Sequence, residues 1–177
     1  MRPNKRPATQ SPLDAEALNR FALAYVGRYA TTRAKLATYL SRKLRERGWG
    51  GEDPPPIDAL VTKFVEAGYV DDTAFAAARS VTLTRRGFGS RRIGQALSAD
   101  GIDRELAASF DHDADAAFAA AETFARRRRI GPFATVAADE AARRKALSAM
   151  IRGGHDFSLA RRFAEAAPGE IPLREDG

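Results

Sequence analysis

The chain has no cysteine, only two histidines and a single tryptophan in 177 residues. Without cysteine there is no disulfide, no thiolate zinc site and no thiol nucleophile, and nothing calls for an oxidising compartment. Two isolated histidines, His112 and His155, do not make a metal or acid–base centre. The expectation is a protein with no metal, no cofactor and no catalytic residues. Long apolar runs are also missing, since none approaches the ~20 residues that span a bilayer. The first residues, Met1-Arg2-Pro3-Asn4-Lys5-Arg6-Pro7, are cationic, but no apolar stretch follows, so they do not read as a secretory leader. A cytoplasmic location, away from any membrane, is the default.

What is plentiful is alanine and charge. Apolar residues make up 44% of the chain, but much of that share is alanine, so each buried face is thin. Alanine favours helices over strands, which points to an all-α fold. The net charge is +6 and unevenly spread: residues 1–50 hold 11 Lys/Arg against 3 Asp/Glu, and residues 51–177 hold 18 against 20. A basic end on a near-neutral body suits contact with phosphate or an acidic surface, although charge alone describes a solvated surface equally well.

The apolar spacing is helical. Leu18, Phe21, Ala22, Tyr25 and Val26 recur at helical intervals, as do Leu36, Leu40 and Leu44, and then Ile57, Leu60, Val61, Phe64 and Val65. Thr31 or Thr32 can cap the second helix and Asp53 the third, with Pro54 to Pro56 leading into its first turn and Gly68 ending it. The pattern then restarts. Asp71 or Asp72 caps a helix through Phe75, Gly87-Phe88-Gly89 breaks it, Ser90 caps the next, and Asp103 caps a third after Gly101. At an offset of 53, Leu97, Gly101, Ile102, Leu106 and Phe110 fall on Met150, Gly154, His155, Leu159 and Phe163. Phe75 falls on Phe118 at an offset of 43, which places an insertion near Pro132 to Ala141. The first repeat aligns more loosely at an offset of 57.

The fold expected is therefore all-α: three tandem three-helix repeats forming an elongated, curved array, because units this small must pack on their neighbours. The expected divisions are a disordered basic arm over 1–12, repeats over 13–70, 71–111 and 112–167, the last with the insertion, and a flexible tail over 168–177. The expected state is a monomer.

The middle of the chain carries Gly68-Tyr69-Val70-Asp71-Asp72-Thr73-Ala74-Phe75-Ala76, then Gly87-Phe88-Gly89-Ser90-Arg91-Arg92-Ile93, then Leu97 and Gly101-Ile102. These residues resemble the RecX family, regulators of the bacterial recombinase RecA. Tyr25-Val26-Gly27-Arg28-Tyr29 with Thr32-Arg33-Ala34-Lys35-Leu36 looks like that family's first repeat. The resemblance implies a non-enzymatic protein that binds the RecA filament on single-stranded DNA and mainly inhibits it, with single- or double-stranded DNA as a further partner. Val81 and Leu83 stand where the family often has Arg, Ala96 where it has Glu, and Asp100 where it has Lys or Gln. The signature residues Gly68, Tyr69, Asp71, Asp72, Phe75, Gly87, Gly89, Ile93, Leu97 and Gly101 read as mainly structural, through capping, turning and burial.

The residues best suited to meet a partner are cationic. Arg33, Lys35, Arg42, Lys43 and Arg45 lie on the second helix, with Arg33 expected off the face of Leu36 and Leu40 and so exposed. Arg85, Arg86, Arg91 and Arg92 flank the break in the second repeat. Arg126, Arg127, Arg143, Arg144 and Lys145 lie in the third. Similar repeat positions could align them into one stripe that meets phosphates or acidic side chains. Two features imitate chemistry without supplying it. The Gly87-to-Ser90 loop lacks the strand a nucleotide fold needs. Asp111-His112-Asp113-Ala114-Asp115 with Glu122 has EF-hand spacing, but Ala116 replaces the turn glycine and the following residues read as helix. A helix-turn-helix-like DNA-binding protein acting without RecA is the competing reading.

Overall fold

The computed structural model describes residues 11–174; the arm expected over 1–12 thus lies mostly outside the described residues, as does the end of the tail. Among the described residues, the regular structure is helical except for one isolated bridge between Leu13 and Trp49. The chain forms two units, one ending at Asp72 and one beginning at Thr73.

The first unit contains α1 (Ala15–Val26), α2 (Arg33–Arg47) and α3 (Ile57–Glu66). Their apolar rows meet in a core of Leu18, Ala22, Leu36, Leu40, Val61 and Phe64, closed by Leu13 and Val70. Leu13 is fully buried: its N–H donates to the Gly48 carbonyl and its own carbonyl accepts from Gly50, both at 2.9 Å. Thr32 is the cap of α2, its hydroxyl accepting from the Lys35 N–H at 3.1 Å. Asp53 does not cap α3. That helix begins at Ile57 after Pro56 without a side-chain cap, and the Asp53 carbonyl instead accepts from the Trp49 indole at 2.6 Å. Gly68 ends α3 as expected, at φ 74°, with the Tyr69 N–H returning to the Phe64 carbonyl.

Asp72 has a role its position in the sequence does not announce. It is the first residue of α4 (Asp72–Arg85), but its carboxylate accepts from the Arg33 N–H at 2.9 Å, thirty-nine residues upstream. It thereby satisfies one of the four unpaired donors at the start of α2 and sets a negative charge on the positive end of that helix. Asp72→Ala is expected to cost about 1 kcal/mol, and Asp72→Asn clearly less because the acceptor remains. Urea denaturation midpoints of the two variants check this.

The second unit holds α4, α5 (Ser90–Ala99), α6 (Arg104–Ala108), α7 (Ala114–Arg128), α8 (Glu140–Arg152) and α9 (Phe157–Glu165). One core gathers Ala76, Leu83, Ile93, Leu97, Ile102 and Ala107; the other gathers Phe118, Phe124, Ile130, Met150, Ala160 and Phe163, and Phe88 packs against both. The repeat register holds in the packing. Leu97 and Met150 are fully buried, Ile102 and His155 nearly so, and Gly101 and Gly154 share a positive φ of 80° and 91°. His155 is thus a core residue. The inserted stretch is a turn of 3-10 helix, Gly131–Phe133, and a loop that ends at Asp139, the cap of α8.

Ser90 is the first residue of α5, not its cap. The cap position is Gly89, and the Ser90 hydroxyl accepts from the His112 N–H at 2.9 Å. The start of α5 is satisfied from farther away. The Gly89 N–H donates to the Gly153 carbonyl at 2.9 Å, and the Arg91 N–H to the Gly154 carbonyl at 3.3 Å. A Cβ on Gly89 would lie 2.3 Å from the Gly154 oxygen, and one on Gly154 would lie 2.4 Å from the Arg92 nitrogen. Backbone meets backbone here, and only glycine allows it.

Candidate partner-binding surfaces

In the first unit the cations of α2 do not all share one face. Lys35, Tyr39, Arg42, Lys43 and Glu46 follow one side of the helix at intervals of three, four and seven residues. Arg45 is exposed and flanks them. Arg33 lies on the angular row of Leu36, Leu40 and Leu44, contrary to the expectation that it stands off that face. It is exposed because it is the first residue of the helix, beyond the end of the core.

The side of α2 that carries Arg42 is built around rings. Tyr25 of α1 stacks on Tyr39 of α2, with centroids 4.2 Å apart and planes 15° apart. Tyr29, in the α1–α2 turn, adds a third ring 5.4 Å from Tyr25. The Arg42 guanidinium lies over Tyr39 at 5.6 Å, and the Lys43 ammonium lies 5.9 Å from Tyr39 and 5.7 Å from Phe21. Glu46 is the acid among them. The hydrogen bond from Lys43, at 2.7 Å, holds its carboxyl below the usual carboxylate range, and the charges of Arg42 and Arg45 add to that. The tyrosine file is not legible in the sequence, because its members come from a helix, a turn and a second helix. The helical spacing of Tyr25 to Tyr29 and Tyr39 to Arg42 is the only trace of it in the chain.

In the second unit the cations fall into separate groups. Arg127 donates to the Arg86 carbonyl at 3.3 Å, so the end of α4 and the end of α7 come together. Arg86 lies over Phe88, Arg128 over Phe124, and Arg126 over Phe133 at 4.3 Å while pairing with Glu122 at 2.8 Å. Much of the Arg126–Arg128 run therefore packs along aromatic faces, with charged ends in solvent. Arg85 is exposed at the end of α4. Arg91, at the other end of the break, pairs with Asp156 at 3.7 Å, and Arg92 is exposed beside it. On α8, Arg144 pairs with Glu140 at 3.2 Å, while Arg143 lies with it and Arg161 around a cleft of about 280 Å3. Lys145 joins Arg128 and Arg129 around another cleft, of about 590 Å3, beside the inserted loop.

Two of the four departures from the family pattern find local reasons. Leu83 is a core residue, and Asp100 pairs with Arg79 at 3.2 Å. Of the signature residues, Ile93 and Leu97 are buried and Phe75 packs against the same core, whereas Tyr69 is 58% exposed with its ring leaning on Phe64.

The two imitations of chemistry resolve in physical terms. In the glycine loop the Gly87 and Phe88 N–H groups return to the Thr84 and Leu83 carbonyls, and the Gly89 N–H, with that of Arg91 beyond it, goes to Gly153 and Gly154, so these donors serve the fold and not an anion. Asp113 caps α7, accepting from the Ala116 N–H at 2.8 Å, and residues 116–121 are helical, so the acids cannot wrap a cation. Among the described residues no group of three or more His, Asp and Glu is placed to hold a metal, and no helix is long and apolar enough to cross a membrane.

The profile of the RecX second three-helix domain matches residues 71–109, the stretch holding α4, α5 and α6. The chain is 33% identical to the regulatory protein RecX of Myxococcus xanthus over 173 residues, covering 93% of this chain and 91% of that protein. It is 32% identical to the regulatory protein RecX of Stenotrophomonas maltophilia over 166 residues, with the same two coverages. The crystal structure of RecX from Lactobacillus salivarius superposes with a TM-score of 0.57 at 17% identity, over 82% of this chain and 91% of that one, and so shares the fold. With relatives similar along nearly their whole length, and with the glycine, acidic and apolar positions of the middle repeat serving as caps, turns and core, the chain belongs to the RecX family of regulatory proteins.

Proposed function

We propose that this protein regulates RecA recombinase, mainly by inhibiting it, through binding to the RecA filament on single-stranded DNA. The observation that carries the reading is near full-length similarity to proteins named as RecX regulators. The exposed cations of α2 and of the second unit support it, because a filament of protein on DNA offers both phosphates and acidic side chains. We take the repeats at 13–70, 71–111 and 112–167 as the binding modules. The action is steric and electrostatic: a bound chain alters the growth or stability of the filament and needs no chemistry of its own.

Adding the protein to RecA on single-stranded DNA is expected to depress ATP hydrolysis and strand exchange. Replacing Arg42, Lys43, Arg91 and Arg92 together by Ala breaks exposed or half-exposed ion pairs and the contacts of Arg42 and Lys43 with Tyr39 and Phe21, and touches no core residue, so the variant should fold. It is expected to inhibit poorly and to bind with a shallower dependence on salt. Unchanged inhibition by the folded variant would remove these residues from the interface, and no effect of the wild-type chain on RecA would sink the reading.

A further inference from the structure

The file Tyr29–Tyr25–Tyr39–Arg42 has a purpose that burial does not explain. Tyr29 is 53% exposed, and Tyr25 and Tyr39 pack against the core with only part of their surface, so the three rings, stacked or tilted on one another, form a file that reaches from the core edge to solvent. One end of the file is an exposed ring. The other end is the guanidinium of Arg42, a flat cationic group that is itself 57% exposed. Lys43 and Arg45 stand beside that end and Arg28 beside the first, and one acid, Glu46, pairs closely with Lys43 at 2.7 Å and more loosely with Arg42 at 3.7 Å.

We propose that this face of the first repeat stacks the unpaired bases of single-stranded DNA, with Tyr29 as one platform and Arg42 as the other. The inference deepens the reading above, since it names the component of the filament that the first repeat meets. Aromatic rings exposed among cations are how proteins hold single strands without reading sequence: each base has a π face, and the cations track the phosphates. An acidic protein surface would pair with the cations but would leave the ring file without a partner. A duplex would hide the faces that the rings need, so the site selects single strands.

Binding of the protein alone, without RecA, to a labelled oligothymidylate and to a strand of equal length made of abasic residues tests this by fluorescence anisotropy. The abasic strand keeps the phosphates and lacks the rings. The wild-type chain is expected to favour oligothymidylate by about five-fold or more. Tyr29→Ala should remove most of that preference without changing the salt slope, because it deletes no charge; Tyr29→Phe should keep the preference. Arg42→Ala should lower the slope by about one unit as well as weaken binding. Equal affinity of the wild type for the two strands would overturn the proposal, as would a Tyr29→Ala variant that still prefers bases. Either result would leave the regulator reading standing if the chain still depresses RecA activity. Loss of that activity effect with base preference intact would do the reverse.

Discussion

Gly89→Ala is expected to destabilise the second unit by about 3 kcal/mol or more, while Gly94→Ala, five residues along the same helix, should stabilise it by up to about 1 kcal/mol. Gly89 is the cap of α5 and Gly94 lies inside it, so backbone preference alone accounts for only about 1–2 kcal/mol of the difference. What separates them is the neighbour. A Cβ at Gly94 meets nothing within 4 Å, so the helix gains only the reduced freedom of the unfolded chain. A Cβ at Gly89 lies 2.3 Å from the Gly154 oxygen and 2.8 Å from the His155 nitrogen, all of it backbone that no rotamer change can relieve. To make room, α5 must move off the α8–α9 turn. That breaks the bonds from Gly89 to Gly153 and from Arg91 to Gly154, leaving buried donors and acceptors unpaired. Urea denaturation followed by far-ultraviolet circular dichroism reads both variants. Equal shifts of the same sign would show that the backbone contact contributes nothing. Gly154→Ala should resemble Gly89→Ala, because it strikes the same seam from the other side and also forces a side chain onto φ 91°.

Most of the local grammar was legible in the chain. Thr32 and Asp103 cap the helices they precede, and Gly68 and Gly101 turn left-handed where the apolar rows stop. These are interactions across two to five residues, so spacing alone reveals them. The errors came where a residue serves a distant partner. Of the two acids before α4, Asp72 serves Arg33; Ser90, expected as a cap, serves His112; Asp53 sits before a helix it does not cap. Residue type predicted that each group needs a partner but not which one. The offset of 53 located Gly154 opposite Gly101, yet nothing in a repeat register says that Gly154 also lies against Gly89.

The candidate surfaces were legible as composition and not as geometry. A run such as Arg126-Arg127-Arg128-Arg129 reads as a solvated cationic face, and the structure lays three of the four along or beside aromatic rings and a carbonyl. The tyrosine file depends on the crossing of α1 and α2. It could be found only by asking what Tyr25, Tyr29 and Tyr39 touch, because a tyrosine at a helical interval is by default a core residue.

Acid should loosen the seam that Gly89→Ala breaks, and His155 is the group that answers to pH. Its ring lies edge-on to Phe124 at 5.2 Å, its backbone follows Gly154, and its Nε2 is buried without a partner. Burial is the main cause that lowers its pKa from 6.5 to about 4; a hydrogen bond with the Gly87 backbone opposes this, and the charge of His112 adds to it. His112 is lowered too, chiefly by burial, against the pull of Asp111 and Asp113, and Arg91 and Asp156 pair nearby. For His155 the unfolded chain takes up its proton first as pH falls, so stability is complete above about pH 6.5. It is then lost progressively toward pH 4, by about 3 kcal/mol in all. Carboxylates also titrate in the lower part of this range, so the difference between two chains is the clean measure. Isoleucine fills the matching position, Ile102, in the preceding repeat. His155→Ile should therefore keep the core packed and make the stability slope between pH 6.5 and 5 shallower by about 1 kcal/mol per pH unit. The slope comes from urea midpoints measured at each pH. Parallel slopes for the two chains would mean that His155 carries no part of the acid response and that its proton equilibrium is the same folded and unfolded.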